Sequence, residues 1–253
     1  MSEKLLFAWI LSALAGLSTT IGSLLGIAVR KPGPRFMTVT LGFSAGVMIL
    51  VSFVELLQGG VEQVGFMPAH IAFFLGMGAM FLVDASVPHE YLGQDEKAGP
   101  EMQGSPLFKT GVFVALGIGI HNFPEGMAAF AGALEDPSLG IAIAVAIAIH
   151  NIPEGLAVAA PIYAATGSRK KAFLWSFFSG VAEPVGAGIA ALILLPFLTP
   201  AVLGYVLAAV GGIMVFISLD ELVPVARSFG HEHLAILGVI VGMIVMAISL
   251  WLL

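Results

Sequence analysis

GIGIHNFPEGMA at residues 117–128 returns, twenty-nine residues later, as AIAIHNIPEGLA at 146–157, each copy in the middle of a long apolar segment. In both copies His and Glu stand four apart, so on a helix they share one face, with Asn beside the His. A His-Asn-x-Pro-Glu-Gly constellation is therefore duplicated inside hydrocarbon. The link between the copies, around Glu135-Asp136-Pro137-Ser138, reads as a short turn that makes consecutive helices run antiparallel. The copies can then face each other across an in-plane pseudo-two-fold. His121, Glu125, His150 and Glu154 would converge on one point, and a metal cation is the natural occupant.

The rest of the chain explains why these groups lie in a membrane. Apolar residues make up 58% of the 253 and charged residues only 10%, with a mean hydropathy of +1.02. That excludes a soluble domain. There is no cysteine, which excludes disulfides and argues against a thiolate Cu(I) site. The expected partners are the lipid bilayer and divalent metal ions, with no nucleic acid.

Apolar runs long enough to cross a hydrocarbon core of about 30 Å predict an all-α integral membrane protein of eight transmembrane helices. They cover about 5–29, 36–57, 67–89, 108–134, 138–163, 172–198, 202–226 and 233–253. The triplet Ala13-Leu14-Ala15 resembles a signal-peptide cleavage site, but the first run is too long for that reading. Arg30, Lys31 and Arg35 follow the first run, Lys97 and Lys109 the third, Arg169, Lys170 and Lys171 the fifth, and Arg227 the seventh. Only Lys4 falls on the other side. The positive-inside rule then places those loops in the cytoplasm and both termini outside. The longest connection, 90–107, is polar and rich in Gly and Pro. It separates the first three helices (5–89) from the fourth and fifth (108–163) and the last three (172–253), all within a single transmembrane domain, 1–253. The spacings Gly22/Gly26, Gly42/Gly46 and Gly238/Gly242 predict close helix approach.

Seven acids fall within predicted spans, Glu55, Asp84, Glu125, Glu154, Glu183, Asp220 and Glu221, and no Lys or Arg does beyond Lys109 at the very edge of the fourth. At roughly 2.5–3.5 kcal/mol per central charge, the three deepest would cost on the order of 8–10 kcal/mol if ionised against lipid. Protonation, a water-filled cavity or bound cations must offset that cost. The midpoints of runs four, five and six fall near residues 121, 151 and 185, so His121, Glu125, His150, Glu154 and Glu183 share one level. Pro124 and Pro153 free the carbonyls of Ile120 and Ile149 at the same depth and are expected to bend their helices. Imidazole with carboxylate suits Zn²⁺, Fe²⁺, Co²⁺, Mn²⁺ or Cd²⁺ better than Ca²⁺ or Mg²⁺. Two His and two Glu satisfy one tetrahedral ion, while Asn122, Asn151 and Glu183 add oxygens for a second. Asp84 and His89, with Asp220 and Glu221, form a candidate exit route, and Glu55 a candidate entrance. His70 reads as interfacial, His231 and His233 as part of a solvated turn around Glu232, and the methionines as packing.

On the paired HNxPEG, with SGVAEPVG in the sixth span and SLDELVP in the seventh, the chain resembles the ZIP (Zrt-, Irt-like protein) family of divalent-metal transporters, especially its bacterial zinc-uptake members. The resemblance implies a bacterial inner-membrane protein with a 3+2+3 bundle, in which helices four and five lie between inverted repeats of helices 1–3 and 6–8. It also implies a binuclear metal centre on His121, Asn122, Glu125, His150, Asn151, Glu154 and Glu183. An acid and a His five apart near the exit are matched by Asp84 and His89, and homo-oligomers are compatible with it. Two departures stand out: 90–107 holds no histidine, and Asp220 stands where some relatives carry His.

The expected function is transport of zinc foremost, and also of iron, manganese, cobalt or cadmium, into the cytoplasm by alternating access, with the metal as cargo and no catalytic cofactor. A channel using the same acids is the alternative, although tight ligation slows release. An intramembrane metallohydrolase is the other competing class. It would need an open coordination position and a separate base, and the HExxH pattern is absent.

Overall fold

Hydrocarbon offers no partner to a backbone amide, so each apolar run must satisfy its own hydrogen bonds. In the structure, a computed structural model that describes residues 3–29, 33–86, 106–135, 137–194, 197 and 199–252, every run does so as a helix. The rods are α1 (Glu3–Ala28), α2 (Pro34–Val64), α3 (Phe66–Ala85), α4 (Pro106–Glu135), α5 (Pro137–Thr166), α6 (Arg169–Ile189, continued by Ala190–Leu194), α7 (Pro200–Ser228) and α8 (Glu232–Leu252). There is no strand among the described residues. Seven of the rods are long and apolar enough to cross a membrane, and the other, α4, has 30 residues.

Three of the described connections turn at glycine, and two helix starts are capped by a side chain. Gly65, Gly167 and Gly230 turn the chain at φ of 85°, 63° and 79°, a region open to Gly without strain. Ser168 accepts from the Lys171 amide at the start of α6, and Thr199 from the Val202 amide at the start of α7, with Pro200 in the first turn as helix starts favour.

Three boundaries depart from expectation. The second run does not stop at 57: α2 continues to Val64, because Gly60 lies against the Gly204 carbonyl and Ala208 of α7, and that packing carries the helix past a pair of glycines. Glu55 is therefore set inside the rod, not near its end. The third helix ends at Ala85, and Pro106 and Leu107, expected in the long connection, already belong to α4. His89 lies outside the described residues.

The helices pack in two sets of close pairings. In one set α1 lies on α5 and α6, and α4 lies on α5 and α6; in the other α2 lies on α8 and α3 on α7. Glycine makes these crossings close. A Cβ on Gly42 or Gly46 would run into carbonyls of Ala235 or Val239 in α8, and one on Gly242 into Phe43 of α2, which meets the expectation from their spacing. Around an apolar core, small polar side chains are drawn into the helix contacts and large apolar ones are turned outward. Ser12, Ser44, Ser176 and Ser179 are buried, whereas Leu75, Leu82 and Trp251 are exposed, as suits a hydrocarbon surround.

α2, α6 and α7 each contain a π-helical turn, at Ser52–Leu57, Ala190–Leu194 and Ser218–Leu222. Such turns concentrate at functional positions, and here two of the three carry in-span acids, Glu55 and Asp220–Glu221. Ser52 Oγ donates to the Met48 carbonyl at 2.6 Å, and Ser218 Oγ to that of Met214 at 2.8 Å. The local sequence is the same in both: Met, then Ser four on, then Glu-Leu three further.

Candidate metal centre

α4 and α5 carry one motif each, antiparallel and in contact. Helical spacing puts His121 and Glu125 on one face of α4, and His150 and Glu154 on one face of α5. The structure joins them crosswise. His121 Nε2 lies 2.9 Å from Glu154 Oε1, and His150 Nε2 lies 3.3 Å from Glu125 Oε2. Each imidazole thus pairs with the other helix's carboxylate, and the four stand as two cross-helix pairs.

Asn122 and Asn151 anchor the centre to its walls. Asn122 Nδ2 donates to the Ser179 carbonyl of α6 at 3.2 Å; Asn151 Nδ2 donates to the Ala15 carbonyl of α1 at 3.0 Å and also to Glu183 Oε1. Glu183 therefore joins the group from α6, as its depth in the sequence suggested. All seven residues are at most 1% exposed. Glu125 Oε1, Glu154 Oε2, Glu183 Oε2, Asn122 Oδ1 and Asn151 Oδ1 have no hydrogen-bond partner, and neither does Nδ1 of either His. Buried polar atoms are ordinarily satisfied. Here the surplus is of acceptors, in a site without Lys or Arg, and that donor set suits a hard or borderline cation.

A cavity of about 710 Å³ leads to this centre from one end of the bundle, lined by Glu55, Glu62, Glu125, His150, Thr199 and Leu207 among others. It opens where α2 ends and α7 begins. Toward the other end, Met80, Val114, Ile118, Ile162 and Ile217 are buried in one apolar cluster, with Ile217 against Gly117. The two ends differ in side-chain size at positions one motif-spacing apart: Gly140 meets Ala133 at the cavity end, while Gly111 meets Ile162 at the plugged end. Beyond the plug, Asp84, Asp220 and Glu221 bring oxygens within 4.8 Å of one another. Three of the four candidate exit residues are thus assembled, and Glu55 faces the cavity as the candidate entrance. Sequence reasoning missed the π turns, although the repeated Met-x-x-x-Ser-x-x-Glu-Leu was a visible signal. It also missed Glu62, which only the extension of α2 brings to the mouth.

A bundle of apolar rods enclosing carboxylates and imidazoles with no Lys or Arg among them, reached by a cavity from one end, defines a multi-pass membrane protein that handles cations. Comparison with known proteins makes the class specific. Residues 86–250 match the family described as ZIP zinc transporter. The zinc transporter ZupT of Chlorobium chlorochromatii is 50% identical over 100% of this chain and 99% of its own length. The proteins of that name from Chlorobium phaeovibrioides and Streptococcus mutans are 54% and 49% identical, over 97% and 100% of this chain and 97% and 99% of their own lengths. The chain belongs to the ZIP zinc transporter family. It is a transporter and not an enzyme.

Proposed function

We propose that the protein carries divalent metal cations into the cytoplasm across a bacterial inner membrane, with zinc the leading cargo and Fe²⁺, Mn²⁺, Co²⁺ and Cd²⁺ as further substrates. The observation that carries this reading is the crosswise His–Glu centre, buried in mid-bundle and reached by a cavity from one end. Relatives named for zinc transport and alike over the whole chain support zinc as the first choice. His121, Asn122, Glu125, His150, Asn151, Glu154 and Glu183 hold the cargo, as one or two ions. Glu55 serves the entrance, and Asp84, His89, Asp220 and Glu221 the exit.

The chemistry is an exchange of proton for metal. An imidazole Nε2 and a carboxylate oxygen that now share a hydrogen bond are a ready pair of ligands once a cation lies between them. Protons and metal compete for the same atoms, so apparent affinity falls as the pH is lowered. Alternating access then exposes the loaded centre to each side in turn. Residues 1–253 act as one transport domain, in which helices 1–3 and 6–8 form inverted repeats around α4 and α5. Matched packing supports this: α2 on α8 mirrors α7 on α3, and α1 on α5 mirrors α6 on α4. Both termini lie outside.

Uptake into proteoliposomes tests the reading. Saturable Zn²⁺ uptake, reduced by competing Cd²⁺ or Fe²⁺, weakened at lower pH and lost in His150→Ala, is the expected result. Metal that binds but never crosses under any gradient would overturn it. The orientation has its own test, because the chain has no native cysteine. Cysteine placed at exposed Lys170 is expected to react with an impermeant maleimide only from the cytoplasmic face, and labelling from outside would reverse the topology.

A further inference from the structure

Helices α1, α4, α5 and α6 meet in reciprocal contacts. A Cβ on Gly155, next after Glu154, would strike the Thr19 carbonyl of α1; one on Gly126, next after Glu125, would strike the Glu183 carbonyl of α6. Gly22 lies on the Ile152 carbonyl as Gly186 lies on that of Phe123. Gly16 and Gly180 face each other, each with the other's carbonyl 2.5 Å from where a Cβ would stand. Beside Gly16 is the Glu183 Cβ, and beside Gly180, at the same 3.0 Å, are the Thr19 Cβ and Oγ1. The sequences align without a gap, GLSTTIG at 16–22 against GVAEPVG at 180–186. Thr19 therefore occupies on α1 the place that Glu183 occupies on α6.

The hydrogen bonds follow the same symmetry up to one point. Asn151 donates to the Ala15 carbonyl, four residues before Thr19, and Asn122 to the Ser179 carbonyl, four before Glu183. Asn151 is also bonded to Glu183. The corresponding pair is Asn122 and Thr19, and there Asn122 Oδ1 and Thr19 Oγ1 both lack a partner while fully buried. An unpartnered buried hydroxyl is costly, and this one is set where the other half of the centre places a carboxylate.

We propose that Thr19 is a specificity-determining residue of the metal centre, supplying a neutral hydroxyl oxygen to the cation on the Asn122 side, opposite Glu183. The assignment rests on the transport reading above. It follows that one half of the centre is charged and the other is not. With three carboxylates already present, a fourth on α1 would bind a divalent ion more tightly and release it more slowly, and a carrier has to release its cargo. A neutral oxygen also matters unequally among metals, because Mn²⁺ depends on oxygen ligands more than Zn²⁺ does, with imidazole available to both.

Metal binding to purified protein in nanodiscs, measured calorimetrically with Zn²⁺ and Mn²⁺, tests the proposal apart from flux. Thr19→Val keeps the shape and removes the oxygen. It is expected to lower Mn²⁺ affinity by about tenfold, the scale of one lost polar interaction, and Zn²⁺ affinity by less. Thr19→Ser is expected to hold both near wild type, and Thr19→Glu to tighten Zn²⁺ binding while slowing its release. Thermal melting confirms folding in each case. Wild-type affinity for both metals in a folded Thr19→Val, or the same loss in Thr19→Ser, overturns the assignment. A paired Glu125→Ala/Glu154→Ala control separates the two readings: if it still binds metal like wild type, the centre itself is wrong, whereas if it loses metal and Thr19→Val does not, only the role of Thr19 fails.

Discussion

Zinc uptake by Glu125→Ala or Glu154→Ala is expected to fall by at least about 100-fold, measured in proteoliposomes at matched protein content. The size follows from position. Partners that merely orient metal ligands are worth about 10–100-fold, and these carboxylates are ligands in the proposed centre as well as partners of its imidazoles. Glu154→Ala takes the 2.9 Å partner from His121, and Glu125→Ala takes the partner of His150. Each change also removes one carboxylate from a site that contains no Lys or Arg. Glu→Gln at either position separates the two contributions, since the amide keeps the volume and an oxygen but not the charge, and it is expected to stay close to the alanine result. A wild-type rate in either alanine variant would remove the duplicated motif from the mechanism.

The second large effect is on stability. Gly155→Ala places a methyl group on the backbone carbonyl of Thr19, with the Ser23 amide nitrogen only 3.1 Å away. Neither obstacle can rotate aside, so α1 and α5 must separate along a crossing that also positions Glu154. Overpacking of this kind costs about 1–3 kcal/mol. Lower yield of folded protein and a reduced melting temperature are the expected outcome. Gly78→Ala is the matching control, because a Cβ there meets nothing within 4 Å and alanine favours the helix. Equal melting temperatures in the two variants would mean that the α1–α5 crossing is looser than it stands here.

The eight rods were legible because a bilayer demands length and apolarity, and both can be read directly along the chain. The close crossings at Gly42, Gly46 and Gly242 were legible for a related reason: only a missing side chain lets two backbones approach within a hydrocarbon medium, and the four-residue spacing marks the face. The duplicated motif pointed to the cross-helix cluster of His and Glu, and the depth of Glu183 placed it at the same level, where it accepts from Asn151. What escaped is what depends on partners. Spacing puts His121 and Glu125 on one face but does not reveal that His121 turns to Glu154. The π turns at Ser52 and Ser218 leave hydropathy untouched, because they change which carbonyl an amide finds and not which residues are apolar. Glu55 was set too near an end because the paired glycines after it are held in helix by Gly204 and Ala208, more than a hundred residues away in sequence. Thr19 was silent for the plainest reason: one hydroxyl in an apolar helix means little until α6 is laid beside it.

The π turns in α2 and α7 also bear on how the carboxylates at the two ends of the proposed pathway are held. A π turn carries surplus chain, one residue more than the surrounding coil has room for. If that surplus travels along the rod, every residue it passes swings by about 100°, the angle per residue of an α-helix, while the rod itself stays helical. Glu55 sits on such slack at the cavity end of α2, and Glu221 sits on the same slack beyond the plug in α7. Each acid can therefore be aimed at the pathway or turned from it by moving a mismatch in hydrogen bonding, without melting a helix inside the bilayer.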